Sequence, residues 1–357
     1  MKVAHLGERG LIRRIRQLVG AGAPGVAVGI GDDAAVLALA DNTKLLATTD
    51  LLLEGVHFRR GYATPADIGW KAMAVNLSDI AAMGGTPRFA LVALACPAET
   101  EVEAIEAIYA GMKAAAEPHG VVIVGGDTCA SPGGFLVSVT LLGELADAPC
   151  LRAGARSGDA IAVTGTLGES AAGLALLETT IRDGSAMAGS GTKAGGLSRD
   201  ALDQEIVDKV SRAHLRPVAR VAEGKWLGAS SAVSAMIDLS DGLAVDLGHL
   251  ASESRVGALV HLDRLPISRA VRSVADAFGR DPAELAVAGG EDYELLLTAD
   301  PAVVQRLAAG LQAATGTPLT VIGEVAEAEA GVRFVNARGE PVPLGEGFEH
   351  FSTRRGR

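Results

Sequence analysis

Apolar side chains recur with helical spacing near the start of the chain. Leu11, Ile12, Ile15, Leu18 and Val19 predict a short amphipathic helix over Glu8 to Val19. A glycine-rich turn and the strand-like VAVGIGDD follow, and KLLATTD predicts a strand that closes on Asp50. Ile68, Ala72, Val75 and Ile80 lie near helical spacing within a predicted helix over Ala66 to Met83. RFALVALAC is a continuous apolar strand. Glu101 to Glu117 is a second helix, with Val102, Ile105, Ile108 and Met112 inward, and GVVIVGGDT and FLVSVTLLGEL are two more strands.

The pattern breaks at the polar, turn-rich APCLRAGARSGD, which places a domain boundary between residues 1–148 and 149–357. Beyond it, strand AIAVTG leads through TLGES into helix AAGLALLE. Thr180 to Arg199, rich in Gly, Ser and Thr, predicts a flexible insertion. Then come a helix near Arg216 to Leu227, strand AMID, helix LAVDLGHLA, strands ALVHLD and YELLLT, helix AVVQRLAAGL and strand LTVIGEV. Strands and helices mix without a strict βαβ rhythm. The expectation is an α/β (α+β) chain of two domains with mixed sheets, and no short-period repeat is present.

At 357 residues and 48% hydrophobic the chain can bury large cores, and 45 glycines against 3% aromatics mean packing by small residues with many tight turns. A net charge of −11 argues against a general nucleic-acid or membrane-surface binder. That acidity serves solubility, or in part a carboxylate site for metal ions. Cys96, Cys129 and Cys150 match no zinc spacing and suit burial in a reducing cytoplasm. There is no apolar run of membrane-spanning length and no signal-peptide core, so the expected location is cytoplasmic.

The chemistry-bearing pattern is a set of strand ends closing on carboxylates flanked by Gly, Ser or Thr. It comprises GIGDD (Asp32, Asp33), TTD (Asp50), NLSD (Asp79), GGDT (Asp127), IDLSDG (Asp238, Asp241) and GGED (Glu291, Asp292). Singly, Asp79, Asp241 and Asp292 read as caps or turn residues. Their recurrence in both halves points to Mg²⁺, which takes one or two carboxylates with waters and substrate phosphates rather than a closed protein cage. GIGDDA approximates a dinucleotide-binding glycine motif, but two carboxylates would repel a pyrophosphate there, and GSGTKAGG lacks the G-K-[ST] ending of a Walker A loop. TGTLGES is an anion-binding turn or an ordinary strand–helix turn. His57, just past Asp50, is structural or a group poised near neutral pH. Arg152 is a solvated linker charge or a phosphate clamp.

In order along nearly the whole chain, GIGDDAAV, TTDLLLEGVHF, DIGWKAMAVNLSDIAAMGG, VGGDT, VTGTLGESAAGLALL, IDLSDGLAVDLGHL, GGEDYELLLT and the terminal GFEHF resemble the thiamine-monophosphate kinase family. That family lies within a superfamily of aminoimidazole ribonucleotide synthetase-like ATP-binding enzymes. The resemblance implies a homodimer whose N-terminal sheets join in a barrel-like interface, with ATP in a cleft beside it. It implies an N-terminal ATP/Mg²⁺ and dimerisation domain and a C-terminal domain completing the substrate cleft. By motif it implies Asp33, Thr48, Thr49, Asp50, Asp79, Asp127, Asp238 and Asp241 as magnesium ligands, and Gly126, Asp127, Arg152, Ser240 and Tyr109 as nucleotide contacts. His57, Glu291 and Phe348 would contact thiamine monophosphate, Phe348 through an aromatic face toward the cationic heterocycle.

The implied reaction is direct in-line phosphoryl transfer from ATP to thiamine monophosphate, giving thiamine diphosphate without a phosphoenzyme. Loss of Asp238 or Asp241 would damage it most, with Asp50 and Asp127 close behind. Another ATP-dependent synthetase of the same superfamily is the alternative, ahead of a non-enzymatic nucleotide-binding scaffold or a nicotinamide-dependent oxidoreductase.

Overall fold

The computed structural model describes residues 14, 17–18, 26–28, 36–37, 44–145, 148–186 and 202–343. Most of the expected N-terminal helix, Asp32, Asp33 and Phe348 lie outside the described residues, as does the expected insertion beyond residue 186. The chain divides into two compact units, Met1–Pro149 and Cys150–Arg357.

In the first unit, β1 (Val26–Val28) and β2 (Val36–Leu37) pair as a small antiparallel sheet. The main sheet holds β3 (Lys44–Leu53), β4 (Thr86–Cys96), β5 (Val122–Ala130) and β6 (Leu136–Leu145) in the order β3-β6-β4-β5. Its pairs are antiparallel except β4 with β5. Helix α1 (Pro65–Ala82) packs on α2 (Val102–Ala116) and on β3, β6 and β4. Covered by a helix and a sheet, it is buried nearly all round, which explains an apolar stripe too broad to be a simple amphipathic one. Its start is a capping box: the Asp67 amide donates to Thr64 Oγ1 (3.3 Å) and the Thr64 amide to Asp67 Oδ2 (3.0 Å), with Pro65 in the first turn.

The second unit is built on a six-stranded sheet of β7 (Ala160–Thr164), β8 (Val233–Asp238), β9 (Gly257–His261), β10 (Leu295–Ala299), β11 (Leu319–Ala326) and β12 (Val332–Val335). The order is β12-β9-β11-β7-β10-β8, antiparallel except β12 with β9. β7 and β10 are buried at every position, as interior strands covered on both faces require. Around the sheet lie α3 (Glu169–Ala186), α4 (Gln204–Leu215), α5 (Val221–Ala229), α6 (Leu243–Ser254), α7 (Arg269–Phe278), α8 (Pro282–Ala288) and α9 (Pro301–Thr315). One core gathers Ile161, Val163, Ile237, Leu247, Val260 and Leu296 under α6, and a second gathers Leu176, Val210, Val271 and Leu285 among α3, α4, α7 and α8. No helix among the described residues is long and apolar enough to cross a membrane.

Several expectations are corrected. β3 does not close on Asp50 but runs on to Leu53, because Leu51, Leu52 and Leu53 continue the ladder opposite Ser138, Val137 and Leu136. Asp79 ends no strand; it lies in the last turn of α1, its carbonyl accepting the Met83 amide. Asp127 sits inside β5. The helix expected from Arg216 begins only at Val221, since Arg216 leaves helical geometry (φ −135°) and Pro217 follows. The first residues of the expected insertion instead continue α3 to Ala186.

Candidate active site

In the first unit, strand alternation sorts the candidate residues. Thr48 and Asp50 share the β3 face that meets α1, and the Thr48 hydroxyl donates to Asp79 Oδ2. Thr49 points the other way: its hydroxyl donates to the Val139 carbonyl (3.2 Å) and accepts from Thr140 Oγ1 (3.0 Å). Asp127 is not brought to this group, because β6 and β4 stand between β3 and β5, a separation of about 14 Å at ordinary strand spacing. Its Oδ1 accepts the Thr128 amide (2.9 Å).

The GGDT segment needs its glycine. Gly126 has φ +154°, and a Cβ there would lie 1.8 Å from the Val92 carbonyl oxygen, so any side chain would drive β5 off β4. Tyr109 stands behind this segment with 3% of its surface exposed; burial pushes its phenol well above the ordinary value, and a hydrogen bond with the Thr128 side chain opposes that shift. His57 lies in the turn after β3, closed by the Gly55 amide on the Phe58 carbonyl (2.8 Å). Its Nδ1 accepts the Leu53 amide (2.9 Å), which places the proton of the neutral ring on Nε2.

In the second unit two acidic loops are zipped together. Leu239 to Gly242 follow β8, and Gly289 to Glu294 precede β10. The Glu291 amide donates to the Ser240 carbonyl (2.8 Å), the Tyr293 amide to Leu239 (2.9 Å), and the Leu239 amide to Glu294 (2.9 Å). These bonds hold Glu291 (φ +67°) and Tyr293 (φ +52°) in the left-handed region, strained for side-chain-bearing residues. Asp238, nearly fully buried, ends β8 as expected. Asp246, in the first turn of α6, receives the Asp241 (3.1 Å) and Gly242 (3.0 Å) amides on Oδ2. Burial, then the charges of Asp238 and Asp241, push Asp246 up to about 8 against the pull of those amides.

Asp292 caps α3 from a distance, accepting the Gly168 (2.7 Å) and Ser170 (3.2 Å) amides. TGTLGES therefore reads as a strand–helix turn in which the Gly165, Leu167, Gly168 and Ser170 amides are already taken. Dense surroundings push Asp292 up to about 8, with the Glu294 and Glu169 charges adding and the two amides opposing. Glu294 is gripped by Arg220 Nε (2.7 Å) and Nη2 (2.5 Å) and by the Thr164 hydroxyl (2.7 Å). Glu291 Oε2 lies 3.2 Å from His214 Nδ1. Glu291, Arg212, Arg216 and Thr166 help line a pocket of about 210 Å³. Arg152 is exposed; its carbonyl accepts from Ser254 Oγ (2.8 Å), and the preceding Leu151 carbonyl accepts the Met236 amide of β8 (2.8 Å).

Two further residues beside these loops, Asp246 and His214, lie outside the acidic motifs of the sequence. Asp246 had a signal, a carboxylate five residues past Asp241 in the first turn of a helix. His214 had none, because its partners Ser170 and Glu291 are 44 and 77 positions away.

Residues 31–145 match the family described as AIR synthase related protein, N-terminal domain, and residues 156–336 match AIR synthase related protein, C-terminal domain. Fold and loops thus define an AIR synthase-related two-domain protein. A thiamine-monophosphate kinase of Rhodopirellula baltica is 40% identical over 87% of this chain and 86% of its own length. The crystal structure of thiamine-monophosphate kinase from Stenotrophomonas maltophilia K279a superposes with TM-score 0.76 and 38% identity, covering 93% of this chain and 96% of that one. AaThiL complexed with AMPPCP and TMP gives TM-score 0.73 and 35% identity over 98% and 99%. The chain belongs to the thiamine-monophosphate kinase family.

Proposed function

We propose that this protein transfers the γ-phosphoryl group of ATP directly to the phosphate of thiamine monophosphate, forming thiamine diphosphate, with Mg²⁺ as the required ion. The observation that carries the reading is the end-to-end relationship to thiamine-monophosphate kinases, one of them solved with AMPPCP, a methylene analogue of ATP, and TMP.

The donor set fits Mg²⁺. Burial, and after it the charges of Asp238 and Asp241, raise Asp246, and a cation beside these carboxylates would relieve the charge part of that shift. Among the described residues no three His, Cys, Asp or Glu side chains are grouped to hold a metal ion, so the proposed Mg²⁺ would depend on one or two carboxylates with water and phosphate oxygens. Asp50, Asp79 and Thr48 would serve one ion in the first unit, from which Thr49 faces away; Asp33 and Asp127 would serve Mg²⁺ apart from that group, and Asp238 and Asp241 would serve it in the second unit. When bound, Mg²⁺ offsets the repulsion between two polyanionic substrates.

Residues 1–148 are the proposed ATP- and Mg²⁺-binding and dimerisation domain, and residues 149–357 the proposed domain that completes the substrate site. Gly126 and Asp127 would meet the nucleotide with Ser240 and Arg152, while Tyr109 holds Thr128 from behind. His57, with its proton on Nε2, would donate to the acceptor, and Glu291 and Phe348 would hold the thiamine. The acceptor phosphate oxygen is already ionised, so no side chain need remove its proton, and no phosphoenzyme forms.

We further propose a homodimer. On β3, Leu45, Leu51 and Leu53 are exposed in a row on one sheet face, an apolar surface suited to a second copy. Light scattering at micromolar concentration should give twice the chain mass; a monomer would refute this. The free cysteines are consistent with a cytoplasmic location.

The reaction is tested by measuring ADP and thiamine diphosphate with thiamine monophosphate present or absent. Equal amounts of both, with no turnover on free thiamine, are expected. Binding of Mg·ATP without thiamine diphosphate would shift the acceptor to those of the related synthetases.

A further inference from the structure

We infer that His214 is a positioning residue for the acceptor: through Nδ1 it fixes the carboxylate of Glu291. The inference rests on the reading of Glu291 as an acceptor contact. The Glu291 backbone is held in the left-handed region by the hydrogen bond that its amide donates to the Ser240 carbonyl. Its side chain still has three torsions to settle. One carboxylate oxygen meets His214 Nδ1 at 3.2 Å, and His214 is only 2% exposed, so this anchor is shielded from competing water.

The anchor is itself held. Ser170 Oγ lies 3.1 Å from the same ring nitrogen, and the Ser170 amide is fixed by Asp292, the residue after Glu291. α3 and α4 approach closely at Gly173, where a Cβ would stand 2.0 Å from the Val210 carbonyl oxygen and 3.1 Å from the His214 Cβ. That closeness sets the depth of His214 beneath the loop.

The chemistry selects a tautomer. An ionised carboxylate only accepts hydrogen bonds, so an unprotonated Nδ1 facing Glu291 would be repelled. In the inferred arrangement Nδ1 carries the hydrogen that Glu291 accepts; the opposite tautomer, a bare Nδ1 accepting the Ser170 hydroxyl at 3.1 Å, would leave Glu291 without that anchor. With one oxygen anchored, Glu291 presents the rest of its carboxylate to the pocket it lines.

The test compares His214→Asn with His214→Gln, at saturating Mg·ATP with thiamine monophosphate varied. Asparagine places its amide N–H near the Nδ1 position. Glutamine fills the volume better but moves its donor away. Loss of a hydrogen bond to a charged group should lower kcat/KM for thiamine monophosphate roughly 10- to 100-fold in His214→Gln. KM for ATP should stay unchanged, and His214→Asn should recover most of the loss. Equal variants, or a better His214→Gln, would mean His214 only fills space and would overturn the inference. Glu291→Ala is run in parallel. If it leaves KM for thiamine monophosphate unchanged, the acceptor reading of Glu291 fails. If it raises KM while His214→Gln does not, the positioning role alone fails. Should the His214 variants not fold, ¹⁵N-histidine spectra of the unaltered protein decide: a protonated Nδ1 whose signal moves in Glu291→Ala supports the role, and a bare Nδ1 overturns it.

Discussion

Removing Arg220 should cost far more than removing the charge it grips. Arg220 and Glu294 form a two-pronged pair at the root of the acidic loop, with side-chain exposures of 22% and 6%. Arg220→Met leaves a nearly buried carboxylate that still accepts from the Thr164 hydroxyl (2.7 Å) but has lost both guanidinium donors, because methionine fills the space without offering a hydrogen. Breaking a buried pair typically costs 3–5 kcal/mol; water reaching the arginine lowers that to about 3 kcal/mol. For a unit of this size the loss is roughly 6–12 °C in Tm. Glu294→Gln instead strands the partly hydrated partner, which also lies 3.7 Å from Glu223, so its cost should be about 1 kcal/mol. The double variant Arg220→Met/Glu294→Leu should recover most of the lost stability, since an apolar pair replaces a stranded charge. Thermal and urea melts of the four proteins form the cycle. Arg220→Met melting within about 2 °C of the unaltered protein, or Glu294→Gln falling further than Arg220→Met, would refute the reasoning.

Three other outcomes are expected. Asp246 is raised to about 8 in the fold against about 3.9 unfolded, so between those values the native chain holds a proton that the unfolded chain lacks. Without Mg²⁺, stability should therefore fall as pH rises from about 4 to 8 and then level. Asp292, raised likewise, contributes to the same fall, so Asp246→Asn, which keeps an acceptor for both amides, should reduce that slope by about half; an unchanged slope in Tm against pH would count against it. Asp241→Asn should cut turnover on the order of 100-fold or more at saturating Mg²⁺ with the fold intact, and near-normal rates would remove Asp241 from the proposed metal set. Chelating Mg²⁺ should abolish turnover and readdition restore it, and activity that survives exhaustive chelation would contradict the ion's role.

What could be read from the chain follows from how local each feature is. α1 was legible to within a residue at each end, because Pro65 and the apolar positions from Ile68 to Ile80 are local signals. The interior strands β7 and β10 were legible as short apolar runs. α7 was missed although Ser268 caps it, accepting the Val271 amide at 3.3 Å, and Ala270, Val271, Val274 and Ala275 line one face. Its three charges, Arg269, Arg272 and Asp276, and its small apolar side chains dilute the stripe. From sequence Asp50 and Asp127 read as strand ends, because carboxylates usually leave sheets, whereas tertiary pairing carries each strand past its acid. The acidic loops were visible as motifs. Their zippering, and the tie from Glu291 to His214, come from contacts across dozens of residues and leave no local trace.

The central claim is tested most directly by following the γ-phosphate itself. With γ-labelled ATP, Mg²⁺ and thiamine monophosphate, the label should appear in the terminal phosphate of thiamine diphosphate, mole for mole with ADP, and none should be trapped on the protein. Label released only as inorganic phosphate, or carried on the polypeptide before reaching product, would contradict direct transfer to this acceptor.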